Sequence, residues 1–189
     1  MNIVLIGYRC SGKTAVGELL ATELGRGFLD TDALIEERAC CSIEALISLK
    51  GWSHFREIEK ELVQEVSMRD NLVIATGGGV VMDEGNVKNL KKNSWIVWLN
   101  GRPDVLKERM CKEQRSGKTR PSLTDADPLG EIEGVLSMRK PLYEQAGDLA
   151  VDTSNLSIRE VAAMIMSNLA KKSFRKKLWR EARLEKYSG

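Results

Sequence analysis

The segment Gly7-Tyr-Arg-Cys-Ser-Gly-Lys-Thr14 limits what this chain can fold into more than any other feature of it. It fits the pattern G-x4-G-K-[ST]. An apolar run, Ile3-Val-Leu-Ile6, precedes it, and Lys13–Leu24, with helical spacing, follows. Such a loop works as the junction of a strand and a helix. Its glycines let backbone N–H groups turn inward around an anion, and the helix N-terminus adds a favourable potential. Lys13 offers a positive charge to the β- and γ-phosphates of a nucleotide, and Thr14 offers a hydroxyl to Mg²⁺. Gly7, Cys10, Ser11, Gly12, Lys13 and Thr14 are therefore the predicted nucleotide-binding residues. The motif alone does not separate a kinase from a GTPase or an ATP-driven machine.

The rest of the chain supplies the sheet that such a loop needs. Asn2–Ile6, Gly27–Asp30, Leu72–Ala75, 95–99 and 149–151 read as strands, mostly without the polar alternation of a half-exposed sheet. Between them lie Lys13–Leu24, two short helical segments up to residue 50, and helices over 53–68, from Pro103, over 128–146 and after Ser157. Ser157 and Glu160 have capping-box spacing. Strands alternating with helices imply an α/β fold, a parallel sheet covered on both faces, with ligands bound at the carboxyl ends of the strands. The stretch 114–127 is polar and irregular and reads as a mobile lid.

Composition narrows the function. The 189 residues fit one domain, and 42% hydrophobic with 30% charged content is ordinary for a globular chain. No apolar run is long enough to cross a membrane, and the N-terminus enters a strand directly, so no signal peptide is expected. The cysteines at 10, 40, 41 and 111 form no CxxC pair, and the single histidine, His54, excludes a histidine metal cluster. A reduced, cytoplasmic protein is expected. The last 19 residues carry eight basic and two acidic side chains, net +6, which leaves −4 for the rest of a chain whose total is +2. A mildly acidic body argues against nucleic-acid binding. No membrane partner is expected, the basic tail leaving room only for a weak interaction.

Further motifs follow the phosphate loop in a fixed order: Phe28-Leu-Asp30-Thr-Asp32, Phe55-Arg56-x-x-Glu59, Gly77-Gly78-Gly79, Arg120-Pro121 and Arg139-x-Pro-Leu-Tyr143. Each is weak alone. As an ordered set, from about residue 2 to 170, they resemble the shikimate kinase family. That resemblance implies a three-layer α/β/α sandwich with a five-stranded parallel sheet, of the P-loop nucleoside-monophosphate-kinase type. It also implies ATP and Mg²⁺ as cofactors, shikimate as acceptor, phosphorylation of its 3-hydroxyl, and a monomer. Residues 1–170 would be the kinase domain, with its lid, and 171–189 a basic helical tail.

The resemblance also implies roles. Asp30 would hold Mg²⁺ with Thr14. Asp32 would bind the acceptor hydroxyls and orient, or help deprotonate, the one attacked. Arg56 and Arg139 would clamp the acceptor carboxylate, which a guanidinium fork suits. Glu59, one helical turn from Arg56, would hold it. Gly77, Gly78 and Gly79 would bring backbone against the acceptor. Lys13, Asp32 and Arg120 would be catalytic, with Arg120 swinging from the lid onto the phosphates. Arg109 and Thr153 would lie at the adenine.

Asp32 also sits where a helix N-cap would. Trp52, Trp95 and Trp98 read as packing residues, and His54 as an exposed helix residue. Cys10 replaces the family's usual glycine, Cys40-Cys41 a small or glycine turn, and Trp52 a common glutamate after Gly51. The alternatives are a kinase for gluconate or a nucleotide, and a kinase-like binding protein without catalysis; Lys13, Thr14, Asp30 and Arg120 speak against the latter.

Overall fold

A computed structural model describes residues 1–115 and 129–185, with side chains as far as residue 172. Five strands and seven helices alternate: β1 (Asn2–Ile6), α1 (Lys13–Leu24), β2 (Gly27–Asp30), α2 (Thr31–Ala39), α3 (Ile43–Ser67), β3 (Leu72–Ala75), α4 (Glu84–Lys92), β4 (Ser94–Asn100), α5 (Pro103–Arg115), α6 (Ile132–Ala146), β5 (Leu149–Asp152) and α7 (Ile158–Glu185). The strands form one sheet in the order β2-β3-β1-β4-β5, with every neighbouring pair parallel. β1 is central, so the loop after it opens where the chain crosses from one half of the sheet to the other. Open α/β sheets bind ligands at such a crossing.

The sheet is covered on both faces, and the period-2 alternation of each strand sorts its side chains between two cores. Ile3, Leu5, Val73, Trp95, Val97 and Leu99 pack with α1 and α7 through Val16, Leu20, Val161 and Ile165. Val4, Ile6, Ile74, Ile96 and Trp98 pack the other way, against Ile35 of α2, Leu62, Val63 and Val66 of α3, Leu90 of α4 and Tyr143 of α6. The expected three-layer sandwich is present.

Local chemistry sets the element ends. Gly25, with φ 60°, closes α1 and donates to Ala21 and Thr22 carbonyls. Ser157 and Glu160 bond reciprocally ahead of α7. Gly51, at φ 79° and ψ 168°, interrupts α3, as the expected break between residues 50 and 53 required.

Three expectations are corrected. Helix α6 begins at Ile132, after a turn at Leu129-Gly130, and not at residue 128. Helix α4, capped by Asp83 on the Asn86 N–H, was not anticipated: its apolar positions are too few to signal one. The cap of α2 is Asp30 and not Asp32, since Asp30 accepts from the N–H groups of Asp32 and Ala33. Trp95 and Trp98 are buried packing residues as expected, and Trp52, half-buried, packs against the core and on Phe55 while also lining the functional cleft described below. His54 is part exposed and faces Glu57 at 3.7 Å.

Candidate active site

At the carboxyl end of β1 the chain turns over Gly7, whose φ of 144° suits glycine and whose Cβ would collide with the Leu99 carbonyl. Gly12, at φ 93°, starts α1 in a left-handed conformation. Between them Cys10 is held at φ 60°, a region that costs an L-residue energy. That backbone explains the glycine common at this position. Lys13 Nζ donates to the Gly7 and Tyr8 carbonyls at 2.9 and 2.8 Å, which folds the loop round its own amine.

Thr14, one residue into α1, donates its hydroxyl to Asp30 Oδ2 at 2.7 Å. The other oxygen of Asp30 caps α2, so this carboxylate is fixed on two sides. A hydroxyl and one carboxylate converging at the phosphate loop fit a Mg²⁺ that takes its remaining oxygens from phosphates and water. Among the described residues no cluster of three or more His, Cys, Asp or Glu side chains offers an all-protein metal site.

A cleft of about 850 Å³ joins this loop to the second half of the site. Asp30, Asp32, Arg56, Glu59, Gly77, Gly78, Gly79 and Arg139 all line it, beside Gly12, Lys13 and Thr14. Glu59 is 1% exposed, and its Oε2 accepts from Arg56 Nη1 at 2.6 Å. The Arg56 guanidinium also lies over the rings of Phe55 and Trp52, at 5.0 and 5.5 Å. Arg139, 6% exposed, donates through Nη1 to the Gly78 carbonyl at 3.0 Å, and Tyr143 donates its hydroxyl to the same oxygen at 2.5 Å. Burial pushes Tyr143 up to about 12, so it stays a neutral donor.

The triple glycine has a physical reason at each position. A Cβ on Gly77 would meet Asp32 Oδ1 at 2.7 Å and Glu59 Oε1 at 3.0 Å. One on Gly78 would press on Arg9 N and the Gly7 carbonyl, each at 3.3 Å. One on Gly79 would overlap the Arg56 guanidinium. Gly79→Ala should therefore displace Arg56. We expect acceptor KM to rise about tenfold, the worth of one charge-assisted hydrogen bond, with ATP KM unchanged. Steady-state kinetics with each substrate varied checks this, and an unchanged acceptor KM refutes it.

Burial raises the Glu59 carboxyl above the usual glutamate range, outweighing the lowering by Arg56. A carboxyl raised by folding favours the native state while protonated and loses that advantage as pH rises through its folded pKa. Wild type should therefore lose stability relative to Glu59→Gln as pH climbs from the ordinary glutamate value of about 4.3 through the raised folded one. Melting temperatures of the pair across that range test it, and a constant difference counts against it.

On the far side of the phosphate loop, a second cleft of about 550 Å³ includes Cys10, Ser11, Gly12, Arg109 and Thr153. Arg109 Nη1 and Nη2 donate to the Thr153 hydroxyl and carbonyl at 3.0 and 2.7 Å, which joins α5 to the loop after β5. Arg120 and most of the expected lid lie outside the described residues. Trp52 and Arg9 are among the lining residues that the predicted site did not include. Trp52 signals itself only by its position after Gly51. Arg9 occupies a variable position of the motif.

A phosphate loop at the centre of a 2-3-1-4-5 parallel sheet, sharing one cleft with a second half lined by arginines and carboxylates, makes this chain a small-molecule kinase of the P-loop class. The family model for shikimate kinase matches residues 9–170. The shikimate kinase of Symbiobacterium thermophilum is 39% identical over 175 residues, covering 93% of this chain and 99% of that protein. That of Thermodesulfovibrio yellowstonii is 41% identical over 165 residues, covering 87% and 92%. Among solved structures, the shikimate kinase from Acinetobacter baumannii in complex with shikimate superposes with a TM-score of 0.83 at 31% identity, covering 90% of this chain and 93% of that one. The chain belongs to the shikimate kinase family. The readings as a gluconate or nucleotide kinase, or as a non-catalytic relative, are not favoured.

Proposed function

We propose that this protein transfers the γ-phosphoryl group of ATP, bound with Mg²⁺, to the 3-hydroxyl of shikimate. The observation that carries the reading is the convergence in one cleft of the phosphate loop with Arg56, Arg139 and Asp32. Two guanidiniums on separate helices suit a carboxylate, and a carboxylate between them and the loop suits the hydroxyls of the same small acceptor.

In this reading Gly7, Cys10, Ser11 and Gly12 present backbone to the donor phosphates, and Lys13 follows the γ-phosphoryl group. Thr14 and Asp30 would hold Mg²⁺, which when bound would offset negative charge on the donor phosphates. Arg109 and Thr153 flank the adenine. Asp32 orients the 3-hydroxyl and accepts its proton as the new O–P bond forms and the β–γ bridge breaks, ADP leaving. Glu59 anchors Arg56, so Glu59→Gln should also weaken acceptor binding. Arg120 is assigned to the transferring phosphoryl group by resemblance. No helix among the described residues is long and apolar enough to cross a membrane. Free cysteines at 10, 40, 41 and 111 fit a reducing compartment, and we place the enzyme in the cytoplasm as a monomer.

The test is ADP release with shikimate, quinate, gluconate and nucleoside monophosphates as acceptors, with and without Mg²⁺. Metal-dependent turnover with shikimate well above the others is expected. Faster turnover with gluconate or a nucleotide overturns the assignment.

A further inference from the structure

Tyr8 and Arg9 occupy the first two variable positions of the phosphate loop, where the motif asks for nothing, yet both are buried. The Tyr8 ring packs among Leu106 and Met110 of α5 and Ile132 and Val135 of α6. Arg9 lies over that ring at 5.9 Å and pairs with Glu131 Oε1 at 3.7 Å, the two side chains 9% and 1% exposed. Glu131 stands at the start of α6, and its carbonyl accepts from the Val135 N–H. Eight residues on, Arg139 leaves the same helix for the Gly78 carbonyl. Gly78 in turn lies against the backbone of Gly7 and Arg9. The contacts close a ring: phosphate loop, Glu131, α6, Arg139, Gly78, phosphate loop.

A buried ion pair is a weak source of stability, because desolvation offsets the attraction, and apolar residues of similar size often serve the fold as well. What such a pair supplies here is position, since it joins the element that grips the donor to the helix that grips the acceptor. We propose that Arg9 and Glu131 are positioning residues that set the register between the phosphate loop and α6, and with it the in-line approach of hydroxyl to γ-phosphorus. This rests on the donor and acceptor assignments above. Misplacement of reacting groups by about an ångström is worth up to roughly a hundredfold in rate.

Three variants test it in the full-length enzyme: Arg9→Met, Glu131→Leu and the double variant. Glu131 is not among the residues lining the cleft, so its removal deletes no ligand contact. Each single variant should lose kcat about tenfold, and Glu131→Leu, which removes no group lining the cleft, should leave KM for ATP and for shikimate within about threefold. Each should also melt lower, because a charge stays buried after this ion pair is broken. The double variant should regain the melting temperature but not the kcat, and lose no more rate than either single one. Recovery of rate together with melting temperature, additive rate losses, or loss through KM in Glu131→Leu overturns the proposal. So does a single variant of unchanged kcat. An active wild type with any of those results defeats this proposal alone, whereas a wild type that does not phosphorylate shikimate defeats the acceptor assignment and this proposal with it.

Discussion

Lys13→Ala should reduce phosphoryl transfer by about a thousandfold and leave the fold in place. Its amine is folded into the loop between the Gly7 and Tyr8 carbonyls, and the charge that builds on the γ-phosphoryl group during transfer has to be met there. Removing a fixed electrostatic donor of this kind costs roughly a hundred- to a thousandfold in kcat. The amine also bonds the Gly7 and Tyr8 carbonyls, so its loss releases two acceptors at a part-exposed site. At about 1 kcal/mol for each such bond, the melting temperature should fall by a few degrees without collapse of the fold. The measurements are ADP release at saturating shikimate and a thermal melt. Turnover near wild type would remove Lys13 from the mechanism.

How much of this was legible in the sequence follows from the physics of each element. The sheet was readable because strands buried on both faces are apolar throughout, as in Ile3-Val-Leu-Ile6 and Leu72–Ala75. The phosphate loop was readable because its chemistry is local, backbone turned around an anion by residues adjacent in the chain. The Arg56–Glu59 pair was readable for the same reason, since helical spacing alone brings the two together.

What failed to show depends on contacts across the chain. Asp30 and Asp32 both look like caps by residue type. Which of them caps α2 is settled by an extended backbone at Asp30, φ −110°, that spacing does not encode. The three glycines read only as close approach. That Gly77 faces Asp32 and Glu59, Gly78 the backbone of the phosphate loop, and Gly79 the Arg56 guanidinium emerges when α3, α6 and the phosphate loop meet over β3. Glu131 and Arg9 are more than a hundred residues apart, and a lone glutamate before a helix carries no local mark of a partner.

The largest effects at the acceptor end should come from Arg56 and Arg139, and they bear directly on the substrate. The two approach from different helices, α3 and α6, and each is held by a group other than the acceptor. Arg56 is gripped by Glu59 and two aromatic rings, and Arg139 by the Gly78 carbonyl. Preorganised in this way, they meet a carboxylate without first losing side-chain freedom. Each charge-assisted hydrogen bond is worth about 1.5–3 kcal/mol, so Arg56→Ala or Arg139→Ala should cost about ten- to a hundredfold in kcat/KM for shikimate. Where the carboxylate is held equally in ground and transition states the loss falls on KM. ATP KM should hardly move, because neither arginine touches the phosphate loop's amine or hydroxyls. Lysine should rescue poorly at either position, lacking the fork that binds both oxygens. Wild type should discriminate against the carboxamide of shikimate by about a hundredfold, since a neutral amide loses the charge on both bonds and sets an NH₂ against guanidinium donors. Arg56→Ala and Arg139→Ala should narrow that gap to about tenfold or less, because a missing guanidinium no longer tells carboxylate from amide. Steady-state kinetics with both acceptors on all three enzymes checks the set. Equal use of acid and amide by wild type would show that no carboxylate sits between these arginines, and the physical case for the acceptor would fall with it.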